Sequence, residues 1–240
     1  VTHHARELAQ AASDILEPVY AELTAIAREV LRSRPPRAAF TEAHFTGLQR
    51  MVADLLATEP RVWGMGYVAA PGVVDGLERY LAWWQRQKGR VSRLRLNFDP
   101  NSVDVYDYLQ MDWYQLPLHG QARVAYGPYV DYSGSDMYTI TATLPVVAAD
   151  GTFLGVAGAD LVVGEVEQGL LEVLSRAECD AVVVSTERRV IAANTPRWIV
   201  GSRLSAMPQV GSATDPDAFR DVAELPLGTG WVLALATSHR

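Results

Sequence analysis

Residues 106–160, YDYLQMDWYQLPLHGQARVAYGPYVDYSGSDMYTITATLPVVAADGTFLGVAGAD, hold seven of the ten tyrosines, one of the six tryptophans and a recurring set of aspartates. The face of a tyrosine or tryptophan ring attracts an ammonium group, by about 0.5–2 kcal/mol depending on how far the pair is desolvated. An aspartate beside such rings adds the opposite charge. Rings and carboxylates gathered on strand-like runs therefore suit enclosure of a small polar or cationic molecule better than they suit bond-breaking chemistry.

Other chemistries find little support. His3 and His4 stand at the amino end, and His44, His119 and His239 are too isolated to form a ligand set, so no metal ligand is assigned. Gly155, Gly158 and Gly164 do not open a helix after a strand in the dinucleotide-binding pattern. Asp104 and Asp107 flank the aromatic stretch without the apolar surroundings that raise a carboxyl pKa. No catalytic residue and no cofactor is expected. Cys179 is the only cysteine, which excludes an intrachain disulfide and reads as a small buried side chain. A net charge of −7 argues against direct binding of nucleic acid by this segment. No run of about 18 apolar residues and no signal-peptide order occurs, so the chain as given is expected to be soluble.

The elements that must position these residues follow from periodicity. With 240 residues and 49% hydrophobic content the chain can bury a substantial core. Over 6–32, Leu8, Ala12, Ile15, Val19, Leu23, Ile26 and Val30 form one stripe of a long helix, which Pro18 is expected to kink or interrupt and Arg34, Pro35 and Pro36 to end. The stripe packs either on its own domain or on its equivalent in a second subunit, making a homodimer. Thr41 caps a second helix that buries Phe45, Leu48, Met51, Val52, Leu55 and Leu56 and stops near Glu59 and Pro60. Residues 61–69 read as a strand with Trp63, Met65 and Tyr67 on one face, and the aromatic residues of 80–84 favour a strand or hairpin over a helix. QLPLHG reads as a loop, 127–132 as extended chain, SGSD as a turn and 137–147 as an alternating strand. Asp150 and Gly151 turn the chain into a returning strand, 152–161, with Asp160 on the face of Val156 and Gly158. This arrangement is expected to bring Tyr129, Tyr138 and Asp160 together. A helix over 161–176 then leads to a smaller unit with strands at 180–185, 188–194, 219–225 and 230–236.

That order of a long helix, an aromatic strand, YDYLQMDWY, GPYVDY, TLPVVAADGTFLGVAGADL, a helix and VVVSTERRVIAANTPRWIVGSRL resembles the Cache superfamily of sensor domains over nearly the whole chain. The resemblance implies an α+β fold of the double Cache kind. It divides into N-terminal helices (1–58), a PAS-like antiparallel unit that binds the ligand (59–165) and a second, smaller PAS-like unit with its connecting helix (166–240). The amino-acid site of that family places Tyr106, Trp113, Tyr114, Tyr129 and Asp160 around the ligand, with Asp160 holding its ammonium. Where the family has an arginine this sequence has Met111, which shifts the expected ligand from ordinary α-amino acids toward amines and quaternary ammonium compounds, or requires another arginine such as Arg95 or Arg123. Asp131 and Tyr138 complete the expected set, Asp131 as a second charge or as a turn former.

The implied function is a ligand-binding sensor that passes binding to an output module outside this chain, either transmembrane signalling or a fused DNA-binding domain. The location is extracytoplasmic if the chain is cut from a membrane receptor and cytoplasmic if it is intact or fused to a soluble regulator. The competing reading is a dimerisation or structural module without a small ligand, for which the aromatic residues and aspartates are core and surface.

Overall fold

The computed structural model describes residues 4–35, 38–87, 89–103, 105–132, 137–211 and 218–237. The turn expected at 133–136, together with His3, Pro36, Asp104 and His239, lies outside the described residues. By contact the chain forms two units: one comprises Val19–Tyr126 and Val130–Val162, the other Val1–Pro18, Gly127–Tyr129 and Val163–Arg240.

Helix α1, Ala5–Arg32, runs through Pro18 without interruption, contrary to the break expected there. An interior proline removes one backbone bond and costs about 3 kcal/mol. The cost is met because Leu8, Ala12 and Leu16 before it and Val19, Leu23, Ile26 and Val30 after it are all buried. Thr41 opens a single 3-10 turn, Glu42–Phe45, in which its backbone N–H donates to His44 Nδ1 at 3.0 Å, so His44 serves as a cap. Helix α2, Thr46–Thr58, follows and buries Leu48, Val52 and Leu56, while Met51 and Leu55 are half-buried.

Six antiparallel strands make the sheet that carries the aromatic residues: β1 (Val62–Ala69), β2 (Leu81–Gln87), β3 (Arg90–Arg93), β4 (Val124–Val130), β5 (Tyr138–Val147) and β6 (Phe153–Val162), in the order β3-β2-β1-β6-β5-β4. Residues 80–84, expected as a strand or hairpin, thus lie in and beside the first arm of a hairpin, with Trp84 opposite Arg93 and Gly89 at φ 75° before the second arm. Alternation sets the adjacent tryptophans Trp83 and Trp84 on opposite faces. The Arg93 guanidinium covers Trp84 at 4.8 Å from its ring centroid. Helix α2 packs on β1 and β2, with the Phe45 ring 5.6 Å from that of Tyr67. At the β5–β6 hairpin Asp150 Oδ1 accepts from the Thr152 N–H at 2.9 Å and Gly151 takes a positive φ of 85°, which favours glycine.

The other unit has a four-stranded antiparallel sheet of β7 (Ala181–Val184), β8 (Val190–Ala193), β9 (Phe219–Glu224) and β10 (Val232–Ala236), in the order β8-β7-β10-β9. Its core gathers Val182, Val184, Val190, Phe219 and Ala234, with Trp198 stacked on Phe219 at 5.7 Å. The connecting helix (Val163–Leu174) begins two residues later than expected, because Leu161 and Val162 are still paired with Val62 and Thr139. Among the described residues no helix is long and apolar enough to cross a membrane.

Candidate ligand-binding site

The candidate site lies on one face of the six-stranded sheet. Asp160 on β6 stands opposite Gly64 on β1 and Thr141 on β5, and Gly64 in turn stands opposite Gln85 on β2. Residues opposite one another in an antiparallel ladder share a face, so Gln85, Gly64, Asp160 and Thr141 form one row. The next row on that face is Trp83, Gly66, Gly158 and Thr143. Of the four central positions of the two rows, on β1 and β6, three are glycine (Gly64, Gly66 and Gly158), and this bare floor holds the Trp83 indole. A Cβ at Gly64 would come within 2.7 Å of Trp83 Nε1, and one at Gly158 within 3.1 Å of Trp83 Cζ3. The indole therefore lies across β1 and β6, with its N–H end over Gly64 and its benzene end beside Thr143.

Asp160 is buried, and its Oδ1 accepts a 2.8 Å hydrogen bond from Thr141 Oγ1. Burial pushes its carboxyl up to about 7; the Thr141 bond opposes the shift and the charge of Asp131 adds to it. Among the described residues no lysine, arginine or histidine makes an ion pair with Asp160. The buried Tyr106 lies within electrostatic reach of both carboxylates: its phenol is pushed far above the ordinary range, first by burial and then by the charges of Asp131 and Asp160. Asp131 is itself buried and donates its backbone N–H to Met137 O at 3.0 Å. Tyr106, Asp131, Asp160 and Thr141 are thus one electrostatic group.

Trp113 arrives on an unexpected element. The QLPLHG segment expected as a loop is mostly helical: a 3-10 turn (Tyr108–Gln110) leads into α3, Asp112–Leu118, with Pro117 inside it. Pro117 has no N–H to offer the carbonyl four residues back, that of Trp113. Thr143 Oγ1 donates to this carbonyl instead, at 2.7 Å. A hydroxyl on the sheet thereby permits a proline in the helix and fastens α3 over the row that carries Trp83. The Trp113 ring stacks on Tyr108 with centroids 6.4 Å apart.

The remaining expected residues fall elsewhere. Tyr114 is buried in a ring cluster, 5.4 Å from Tyr108 and 5.8 Å from Phe153. Tyr129 is half-buried on edge strand β4. Tyr138 opens β5 on the face of Ile140 and Ala142, opposite that of Thr141, and is 42% exposed, so strand alternation keeps it out of the group around Asp160. Met111 is half-buried between the 3-10 turn and α3, Arg95 is exposed, and Arg123 covers the Tyr20 ring at 4.9 Å. Trp83, Gln85, Thr141 and Thr143 share the face of Asp160 without being among the residues the sequence singles out. Their signal lies in the pairing of a tryptophan strand with glycine-rich runs at 64–66 and 155–158, which becomes readable once the register is known.

The family model for the first PDC sensor domain of methyl-accepting chemotaxis protein-like proteins matches residues 48–168. No curated protein matches the chain by sequence. Among solved structures, the ligand-binding domain of the Campylobacter jejuni chemoreceptor Tlp3 in complex with L-valine is similar over 96% of this chain and 90% of its own, at 13% identity and a TM-score of 0.58. The ligand-binding domain of the Pseudomonas aeruginosa PAO1 amino acid chemoreceptor PctC in complex with GABA is similar over 97% and 95%, at 17% identity and a TM-score of 0.57. These structures share the fold of this chain, and together with the family match they bear out its resemblance to Cache sensor domains.

Proposed function

Because the chain belongs to the family of methyl-accepting chemotaxis protein-like first PDC sensor domains, we propose that it senses a small organic cation, an amine, quaternary ammonium or amino-acid-like compound, bound at Asp160. The observation that carries this reading is a buried carboxyl with a second carboxylate close by and no cationic ion-pair partner among the described residues. An isolated buried carboxylate is strongly disfavoured, and a cation of suitable size relieves it. Tyr106 and Trp113 complete an aromatic surround, in which an ammonium is attracted to ring faces as well as to the charge. Tyr114 supports that surround through its ring cluster, and Tyr129 and Asp131 border the same stretch of chain. The output module that receives the signal lies outside this chain. Tlp3 and PctC are chemoreceptors, which fits a role in signal transduction.

A thermal-shift screen of amines, quaternary ammonium compounds, amino acids and simple carboxylates, followed by calorimetry, tests the reading. A ligand at a hundred times its Kd adds about 2.7 kcal/mol of stability. Compounds bearing an ammonium or quaternary nitrogen are expected to raise Tm, and Asp160→Asn, which keeps the shape and removes the charge, to abolish the rise. Shifts produced by carboxylates alone, or a shift that survives Asp160→Asn, would overturn it.

A further inference from the structure

Two buried polar atoms on the site face make no hydrogen bond among the described residues. Trp83 is 4% exposed, and its Nε1 is buried without a hydrogen-bond partner among the described residues; so is Oε1 of Gln85, two residues on along the same strand face. A buried donor or acceptor left unmade costs on the order of 1–3 kcal/mol, so such pairs are rare unless something else completes them. Trp83 Nε1 lies beside Gly64, the residue directly opposite Asp160, and Gln85 is the register partner of Gly64 on the neighbouring strand. A Cβ at Gly64 would sit 2.7 Å from the indole nitrogen and 3.1 Å from Gln85 Cβ. One face of the sheet thus carries a donor beside Gly64, an acceptor-bearing side chain on the strand to one side and, on the strand to the other, an acid with no ion-pair partner among the described residues.

We propose that Trp83 and Gln85 bind the second polar group of the ligand, and that this group is a carboxamide: its carbonyl accepts from Trp83 Nε1–H while its NH2 donates to Gln85 Oε1. The inference rests on the reading of Asp160 as the partner of the ligand's ammonium. A carboxamide is the small neutral group whose adjacent acceptor and donor match the orphaned pair. A carboxylate would set one of its oxygens against the Gln85 oxygen and bring a third negative charge toward Asp160 and Asp131. Neighbouring strands are about 4.8 Å apart, so an ammonium at Asp160 and a carbonyl over Gly64 suit a short chain such as that of an aminoalkyl amide.

The test is calorimetric titration of the whole chain with 4-aminobutanamide, 4-aminobutanoate and butylamine, on the wild type and on Trp83→Phe, Gln85→Met and Asp160→Asn. The wild type is expected to bind 4-aminobutanamide at least tenfold more tightly than either other compound. Trp83→Phe keeps the ring and removes the N–H, and Gln85→Met keeps the volume and removes the amide. Each is expected to erase most of the tenfold preference. The second variant decides the matter if the first fails to fold. A wild type that binds butylamine through Asp160 with no preference for the amide, or with a preference for 4-aminobutanoate, overturns this inference and leaves the cation site standing. Absence of binding by every ammonium compound removes both.

Discussion

The Asp160 carboxyl is raised to about 7 by burial first, so its titration is measurable near neutral pH. The sign follows from linkage: a carboxyl that holds its proton more tightly when folded makes the folded chain less stable as pH rises from about 4 toward 7. A bound ammonium favours the ionised form, so binding releases a proton below pH 7. Affinity for butylamine, which keeps its own charge across this range, is therefore expected to rise by up to about tenfold per unit from pH 5 to 7 and to level off above. Asp160→Asn should flatten the profile and weaken binding at pH 8; a wild-type profile already flat from pH 5 would mean that Asp160 is ionised without ligand. The face on which Asp160 stands is legible in the sequence because GVAGADL closes a hairpin with the acid on a fixed parity. That of Trp83 is not, since either member of the Trp83-Trp84 pair fits a strand equally well. Only the pairing of β2 with β1 tells which of them faces the acid.

At the scale of elements, the fold was readable wherever period and turn chemistry agreed, as in α2, the β5–β6 hairpin and the strands of the smaller unit. The structure departs from that reading at two prolines, Pro18 inside α1 and Pro117 inside α3. In both places the residues that offset the proline's local cost are distant in sequence or distributed along the helix. The second case gives a sharp prediction, because Thr143 Oγ1 supplies the donor that Pro117 lacks. Thr143→Val preserves shape and leaves the Trp113 carbonyl short of a partner, which is expected to cost about 1–3 kcal/mol in urea unfolding. In a Pro117→Ala background the backbone N–H returns, so the same change should cost clearly less, a coupling that a double-mutant cycle reads directly. Equal costs in the two backgrounds would show that the hydroxyl and the proline are independent. Weaker ligand binding by Thr143→Val, restored by Pro117→Ala, would further tie the position of α3 to the site.

Taken whole, the molecule is a sensor-family chain in which the acid, its aromatic neighbours and the glycine floor belong to one unit, while α1 has residues in both. A ligand moves an equilibrium only by binding one state better than another, so a sensor must couple its site to something beyond the site. The buried carboxyl offers a source for that difference. On the proposed reading, a cation at Asp160 is expected to favour an arrangement in which α3 and the 106–131 segment close around it, because ring and ion contacts are then gained together. Hydrogen exchange of the chain with and without saturating butylamine tests the transmission step. Amides of α3 and β6 are expected to exchange more slowly in the presence of ligand, reporting the closure itself. Amides along α1 and in β7–β10 are expected to change as well, in either direction, if binding is passed on. Protection confined to α3 and β6 would describe a binding domain that closes without signalling through this chain, and would move the search for the output to segments that contact the closing elements directly.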